Sequence, residues 1–228
     1  MSTDTSARST GARTDVGERT LVGVDVGELP LAAVAPAGST PAVATTVAGG
    51  SEVRGIVRHM ERGCQLLASV DDTEASAEVS LVAAAWSRLR PTIVAAARDV
   101  VDEVAEHTQP VLVRERLTAE RTPLWEHRRN PEIGTWLLPV LTAWIDRLAV
   151  ERGVPVVAVD PHGTSRRCHE CDERGELEGE TFRCRSPTCR VGAVDRDVNA
   201  ALVIADEGRR RLSGASRPTT IDAEGADG

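Results

Sequence analysis

Four of the five cysteines lie within the segment from position 168 to position 189, and this cluster constrains the fold more than any other feature. They form two pairs, with two residues inside the first pair, twelve between the pairs and four inside the second. Zinc prefers four soft ligands in a tetrahedron, and two tight turns that each contribute two thiolates supply them. In a chain without an export signal, this spacing indicates a metal site rather than disulfides. We therefore predict a zinc site with four ligands: Cys168, Cys171, Cys184 and Cys189.

This zinc should be structural, because four thiolates close the coordination sphere and leave no position for a reacting water. Such an ion replaces a hydrophobic core that about 25 residues cannot build alone. His162 and His169 are alternative ligands, although an exposed histidine beside such a cluster is the more common case. Cys64 stands alone in a helical pattern and should be a small core or surface residue.

The composition is that of a folded protein. Hydrophobic residues make up 41% and charged residues 27% of the 228 residues, which excludes a fully disordered or fibrous chain. All 27 basic residues are arginines, and with 35 acidic residues the net charge is -8. This balance argues against a general coating of nucleic acid but leaves a local arginine groove open. An adaptation to a high-salt cytoplasm and a codon bias explain the absence of lysine equally well.

No window approaches the roughly 20 apolar residues that span a membrane. The first 19 residues are polar and lack the apolar core of a signal peptide. We therefore expect a cytoplasmic protein without a membrane partner.

The order of predicted elements indicates the fold class. Apolar runs at 20–27, 31–35 and 42–47, separated by Gly and Pro, predict a three-stranded meander. Helical periodicity follows from about residue 51 and again over 74–107, where Pro91 should kink or break the helix. Strands at 110–113 and 155–159 flank a helix from 133 to 153, and a last helix begins near Asp195. This order predicts an α/β, ribonuclease-H-like mixed sheet with helices on both faces.

Three carboxylates are expected to meet in such a fold. Asp25 ends the first strand, Glu115 ends the fourth, and Asp197 begins the last helix. Singly, each has an ordinary interpretation as a solvated strand end or a helix cap. Together they would repel unless cations neutralise them, and oxygen ligands suit Mg²⁺ or Mn²⁺. A pair of such ions activates water and stabilises the leaving oxygen of a phosphodiester.

Two segments carry a resemblance to a known family. Residues 163–171 resemble the Thr-Ser-x-x-Cys-x-x-Cys opening of a particular zinc ribbon, and residues 195–204 resemble the Asp-Arg-Asp-x-Asn-Ala-Ala-x-Asn-Ile that follows it. The pairing is similar to the C-terminal half of TnpB-type transposon-encoded proteins, often described as transposases. Upstream, residues 22–27 resemble the family's Gly-x-Asp-x-Gly motif, residues 111–117 its apolar strand ending in Glu, and residues 156–161 the strand before the ribbon. The resemblance covers about residues 20–207.

The resemblance implies a RuvC-like nuclease fold with an inserted four-cysteine zinc ribbon, and a Mg²⁺- or Mn²⁺-dependent DNA endonuclease linked to transposition and DNA recombination. Carried over by position, the catalytic, metal-binding carboxylates are Asp25, Glu115 and Asp197. Asp195 fits less well, because the family's carboxylate lies two residues before the position of Asn199. The implied partners are DNA and either a guide RNA or a protein that supplies the missing N-terminal portion.

The chain departs from this family in several ways. The family carries a large N-terminal portion that holds guide RNA, whereas a polar tail precedes the first strand here, so a stand-alone RNA-guided nuclease is not expected. Asp172 stands where the family has Gly, Arg116 follows the second carboxylate, and Val203 replaces the second Asn. A non-cleaving nucleic-acid-binding or regulatory descendant therefore stays open, as does a zinc-ribbon adaptor on an unrelated α/β domain.

The predicted organisation is a disordered polar tail (1–19), a nuclease domain (20–163 and 193–211), the inserted ribbon (164–192) and a loose tail (212–228). Residues 121–130 are expected to form an arginine-rich loop. Arginines in the ribbon are candidate phosphate contacts, with pairing to neighbouring Glu as the alternative. These candidates are Arg166, Arg167, Arg183, Arg185 and Arg190.

Overall fold

A five-stranded mixed sheet forms the centre of the computed structural model, which describes residues 19–69, 75–117, 133–161 and 163–214. Its strands are β1 (Thr20–Val26), β2 (Ala32–Pro36), β3 (Thr45–Val47), β4 (Pro110–Glu115) and β5 (Val156–Val159). They lie in the order β3-β2-β1-β4-β5. The β1–β2 and β2–β3 pairs are antiparallel, and the β1–β4 and β4–β5 pairs are parallel. The predicted ribonuclease-H-like fold class is confirmed.

Helices cover both faces of this sheet, as predicted. The helices α1 (Gly50–Ala68), α2 (Ala75–Ala105) and α3 (Ile133–Glu151) pack on one face, and α4 (Arg196–Ser213) packs on the other. Side chains alternate along each strand, so Val24 contributes to the core beneath α1–α3 while Leu21 packs with Ile204 of α4. None of the described helices is long and apolar enough to cross a membrane.

Two details of the elements differ from part of what was predicted. Of the kink or break expected at Pro91, the break does not occur: helix α2 runs through Pro91, with Leu89 and Ile93 on either side fully buried in the core. The packing of this apolar stripe outweighs the cost of one lost backbone hydrogen bond. The third strand is shorter than the predicted 42–47, because a 3-10 turn occupies Pro41–Val43 before β3 begins at Thr45. The predicted N-terminal tail, the loop at 121–130, His162 and most of the C-terminal tail lie outside the described residues.

The ribbon (residues 164–192) continues into a small antiparallel sheet of its own. The strands β6 (Gly175–Glu178) and β7 (Thr181–Cys184) form a hairpin, and β8 (Ala193–Asp195) adds to β7. Phe182 is fully buried and packs against Gly175, where a Cβ would lie 2.4 Å from its ring. Helix α4 begins at the residue after β8 ends, so the ribbon sheet leads directly into the helix that covers β1 and β4.

Candidate functional site: a four-cysteine cluster and a carboxylate edge

The four thiols of the ribbon come together. Cys168 Sγ lies 3.7 Å from Cys189 Sγ, Cys171 Sγ lies 3.5 Å from Cys184 Sγ, and all four sulfurs lie within 4.8 Å of one another. Zinc–sulfur bonds of about 2.3 Å in a tetrahedron separate the sulfurs by about 3.8 Å, so the cluster has the spacing that a tetrathiolate ion requires. The predicted four-cysteine metal-binding cluster is confirmed. His169 is not a member of this set.

The protonation of these thiols couples metal binding to pH. Burial raises the pKa of Cys168, and it raises the pKa of Cys171 to about 12. The backbone N–H of Val191, 3.4 Å from the sulfur, lowers the pKa of Cys189. A bound ion must therefore displace protons from the more buried thiols, because only thiolates are good metal ligands.

Asp25 and Glu115 lie side by side at one edge of the central sheet. Strands β1 and β4 pair in parallel with Val24 opposite Arg114, so the residues that follow are neighbours at the carboxyl ends of the two strands. Because side chains alternate along a strand and Val24 points to the α1–α3 core, both carboxylates lie on the face that α4 covers. We call this site, formed by Asp25, Glu115 and Asp197, the carboxylate edge.

Helix α4 reaches the carboxylate edge because β1 carries a glycine beneath it. A Cβ on Gly23 would lie 2.0 Å from the carbonyl oxygen of Ala201 and 2.9 Å from the Cβ of Ala205. Helix and strand therefore touch backbone to backbone. Asp197 lies about one helical turn before Ala201, in the first turn of α4. This close contact fixes the position of α4 along β1, and it thereby places Asp197 opposite the end of that strand.

The two aspartates at the start of α4 have different roles. The Asp195 side chain caps the helix, accepting hydrogen bonds from the backbone N–H groups of Asp197 at 2.9 Å and Val198 at 3.1 Å. The Asp197 carboxylate instead contacts the guanidinium of Arg196 at 3.1 Å. The negative charge of Asp197 also acts on Asp25. Because Asp195 supplies the cap, the carboxylate of Asp197 is not used for capping.

The carboxylate edge is short of positive charge. Burial raises the pKa of Asp25 well above its usual value, and the negative charges of Glu115 and Asp197 raise it further. Burial also raises the pKa of Glu115 and of Asp197, with Arg196 opposing the shift at Asp197. Carboxylate oxygens in this environment fit a hard cation such as Mg²⁺. Unlike the four sulfurs, however, these oxygens do not all lie within 4.8 Å of one another among the described residues.

A threonine that the sequence analysis did not assign contacts Glu115. Thr164 opens the ribbon in a 3-10 turn (Thr164–Arg166) and is 1% exposed. Its hydroxyl donates to a carboxylate oxygen of Glu115, which lowers the pKa of Glu115 against the effect of burial. The available signal was its position in the Thr-Ser-x-x-Cys-x-x-Cys motif.

Asn199 is a second side chain that the sequence analysis left without a role. It is fully buried in α4, two residues after Asp197. Its Oδ1 lies 3.2 Å from the backbone nitrogen of His169 and 3.0 Å from the Nδ1 of that ring, and its Nδ2 donates to the carbonyl oxygen of Arg167 at 2.7 Å. The first cysteine pair is thereby joined to the first turn of α4. Its signal was the Asn in the Asp-Arg-Asp-x-Asn motif.

Arg167 is held inside the protein rather than presented on its surface. Its side chain is 10% exposed and pairs with Asp172 at 2.8 Å and Glu207 at 3.5 Å. Arg210 of α4 lies between the same two carboxylates, at 3.4 Å and 3.3 Å. These four side chains form an ion-pair network between the ribbon and α4. A contact between Arg167 and phosphate would require this network to open.

The other candidate arginines divide into two pairs. Arg183 of β7 pairs with Glu178 of β6 at 2.8 Å, and Arg185, just after β7, pairs with Glu176 of β6. Arg166 and Arg190 are exposed, and no acidic partner is found for either among the described residues. Phosphate binding by these arginines stays a prediction.

Comparison with known proteins supports the resemblance found in the sequence. The sequence model of the family described as "Cas12f1-like, TNB domain" matches residues 140–204, which run from α3 through the ribbon into α4. No curated protein matches the chain. Among solved structures, a Cas12f1–sgRNA–target DNA complex aligns with a TM-score of 0.64 at 15% identity, covering 86% of this chain and 51% of that one. A CRISPR-Cas12f ternary complex aligns with a TM-score of 0.61 at 17% identity, covering 82% and 38%.

A third solved structure, of the mini-RNA-guided endonuclease CRISPR-Cas_phi3, aligns with a TM-score of 0.50 at 13% identity and covers 88% of this chain and 46% of that one. These identities show the fold alone. The fold and the cysteine cluster define an α/β domain of Cas12f type with a four-cysteine ribbon. With the family match over residues 140–204, they confirm the predicted resemblance to TnpB-like proteins. The chain spans 51% or less of the length of these solved structures.

Proposed function

We propose that this TnpB-like chain is a metal-dependent DNA endonuclease whose reaction takes place at the carboxylate edge. The observation that supports this proposal is the adjacent position of Asp25 and Glu115 at the ends of two paired strands, together with the effect of the Asp197 charge on Asp25. Three part-buried anions destabilise a fold unless a cation joins them, so a purely structural role does not explain their position. Because a similar solved structure is a complex with guide RNA and target DNA, we propose both nucleic acids as partners.

The three carboxylates would hold Mg²⁺ or Mn²⁺, which lowers the pKa of a bound water and stabilises charge on the leaving oxygen of a phosphodiester. The negative charges of both other carboxylates act on Asp25. Glu115 is oriented by Thr164, and Asp197 by the cap of α4. The residues of the chain therefore supply oxygen ligands in fixed positions, and the acidic edge excludes the phosphate until a cation is bound.

We further propose that the ion of the cysteine cluster is Zn²⁺ and that its role is structural. Four thiolates at tetrahedral spacing leave no open position for water. The ribbon also buries little apolar surface of its own beyond Phe182, so the ion provides what its core lacks.

Cleavage of single- and double-stranded DNA tests this function. We expect zinc-loaded protein with Mg²⁺ or Mn²⁺ to cut, and Asp197→Asn to abolish the cutting because a ligand oxygen is lost. Asp195→Asn is the matched control, since Asn caps helices as well as Asp does. Cutting should be assayed over a range of salt concentrations, because attraction between exposed charges is screened by salt. Equal rates for Asp197→Asn and the wild type would rule out the proposed site.

A second candidate function is the non-cleaving, nucleic-acid-binding descendant. The observation that favours it is the open spacing of the carboxylate oxygens, which contrasts with the compact set of sulfurs. Zinc-loaded, folded protein that binds DNA but cuts neither form at any salt concentration would support this alternative.

A further inference from the structure

We propose that Thr164 is a positioning residue for Glu115, so that the first turn of the ribbon sets the affinity of the carboxylate edge for divalent cations. This inference rests on the proposed nuclease function. It assigns a role in the metal site to a residue that is neither a zinc ligand nor a carboxylate.

The Thr164 hydroxyl has one proton and two acceptors within reach. One is a carboxylate oxygen of Glu115, and the other is the carbonyl oxygen of Pro161 at 3.1 Å. A hydroxyl donates to one acceptor at a time, and a charged acceptor makes the stronger bond. Because Thr164 is 1% exposed, water does not compete for this proton. The donated bond holds one oxygen of Glu115 and leaves the other for a cation.

The groups around Glu115 do not neutralise its charge, so the hydrogen bond from Thr164 matters for its position. Asp160 raises the pKa of Glu115 through its negative charge, and Asp25 on β1 lies beside Glu115. Arg114 does not neutralise the Glu115 carboxylate. Its guanidinium binds Asp146 of α3 at 2.7 Å and 2.5 Å and donates to the backbone carbonyl of Glu115 at 2.8 Å. Among the described residues, the Thr164 hydroxyl is the donor found on this carboxylate.

The position of Thr164 depends in turn on the ribbon. The carbonyl of Gly163 accepts from the backbone N–H of Arg166 at 3.1 Å, which closes the 3-10 turn. The Nε of Arg167 lies 3.4 Å from the same carbonyl, and the other end of that guanidinium pairs with Asp172 inside the ribbon. The turn that carries Thr164 is thus held between the central sheet and the first cysteine pair.

Mn²⁺ binding to zinc-loaded variants tests the proposal, measured by calorimetry and by the paramagnetic resonance signal of free Mn²⁺. Thr164→Val keeps the shape of the side chain and removes the proton, and we expect it to weaken Mn²⁺ binding about tenfold or more, as for loss of a hydrogen bond to a charged group. Thr164→Ser keeps the hydroxyl and should restore binding. Thr142→Val is the matched control, because Thr142 is also a buried threonine, in α3 on the other face of the sheet, and its hydroxyl has no partner in the described structure.

The outcomes separate the two proposals. Weaker Mn²⁺ binding by Thr164→Val alone, with zinc content and melting temperature like those of Thr142→Val, supports the positioning role. Wild-type affinity in Thr164→Val, or a loss that Thr164→Ser does not restore, overturns it while the nuclease function stands. If wild-type protein binds no Mn²⁺ at all, the proposed function fails and the positioning role fails with it. If Thr164→Val loses its zinc, the Thr164→Ser variant takes its place: wild-type Mn²⁺ affinity in Thr164→Ser supports the positioning role, and weaker binding overturns it.

Discussion

At the scale of single residues, the charge on Asp25 should make the stability of the protein depend on pH. Its pKa lies well above the usual 3.8 because of burial first and of Glu115 and Asp197 second. The folded state therefore binds this proton more tightly than the unfolded state does. The resulting stability is present below pH 3.8 and is lost as pH rises through the raised pKa. Metal-free carboxylates thus destabilise the fold at neutral pH.

We predict that Asp25→Asn raises the melting temperature of zinc-loaded, magnesium-free protein at neutral pH, and that the difference from wild type shrinks toward pH 4. Adding Mg²⁺ should stabilise the wild type but not the variant, because only the wild type offers the ligand. Thermal unfolding followed by circular dichroism between pH 4 and 8, with and without Mg²⁺, measures both effects. A wild-type protein more stable than Asp25→Asn without Mg²⁺ would contradict this account.

The site residues that could be predicted from the sequence are those whose chemistry requires a characteristic spacing along the chain. The four cysteines were predictable because zinc ligands recur in tight pairs, and the structure brings them together. Thr164 and Asn199 were not, because an uncharged polar side chain becomes informative only through the partner it meets. Those partners lie 49 and about 30 positions away along the chain.

At the scale of elements, the contact between β1 and α4 depends on one missing side chain. We predict that Gly23→Ala forces α4 away from the sheet, since the new Cβ would lie 2.0 Å from the Ala201 carbonyl oxygen, which is backbone and cannot rotate aside. The cost should exceed about 2 kcal/mol, as for overpacked cores. Divalent-cation binding should weaken as well, because Asp197 moves with α4.

Gly55→Ala in α1 is the matched control, because nothing lies within 4 Å of its added Cβ. It should stabilise the protein by about 0.5–1 kcal/mol through helix propensity alone. Urea unfolding of the two variants measures the contrast. Equal stability of Gly23→Ala and wild type would show that α4 does not depend on this contact.

The strands and helices of the central domain were largely predictable, because apolar runs bounded by Gly and Pro and helical stripes reflect burial directly. Differences arose where tertiary packing overrides local preference. Pro91 alone predicts a kink or a break, and α2 is continuous there, with Leu89 and Ile93 fully buried on either side. Strand β8 was missed because its three residues acquire their strand character only by pairing with β7.

At the scale of the whole molecule, the ribbon and the carboxylate edge form one structural unit. The backbone N–H of Arg196, at the start of α4, donates to the carbonyl of Glu180 in the ribbon at 2.9 Å. Asn199 joins the same turn of α4 to the first cysteine pair, and Thr164 joins the ribbon to Glu115. Two of the three carboxylates are therefore positioned by the ribbon. The integrity of the carboxylate edge should consequently depend on the ion that the cysteine cluster holds.

We predict that Cys184→Ser, which breaks the zinc site, also loosens the first turn of α4 and abolishes DNA cleavage although all three carboxylates are present. Amide hydrogen exchange should rise over residues 196–199, because the contacts of Arg196 and Asn199 with the ribbon are lost, while α1 keeps its protection. Cys64→Ala is the matched control: this buried cysteine lies in α1, outside the cluster, so the variant should keep its zinc and the protection of α4. Zinc content by mass spectrometry accompanies both exchange measurements. Unchanged exchange at residues 196–199 in zinc-free Cys184→Ser would mean that the sheet alone positions Asp197, and the ribbon would then act on nucleic acid rather than on the carboxylates.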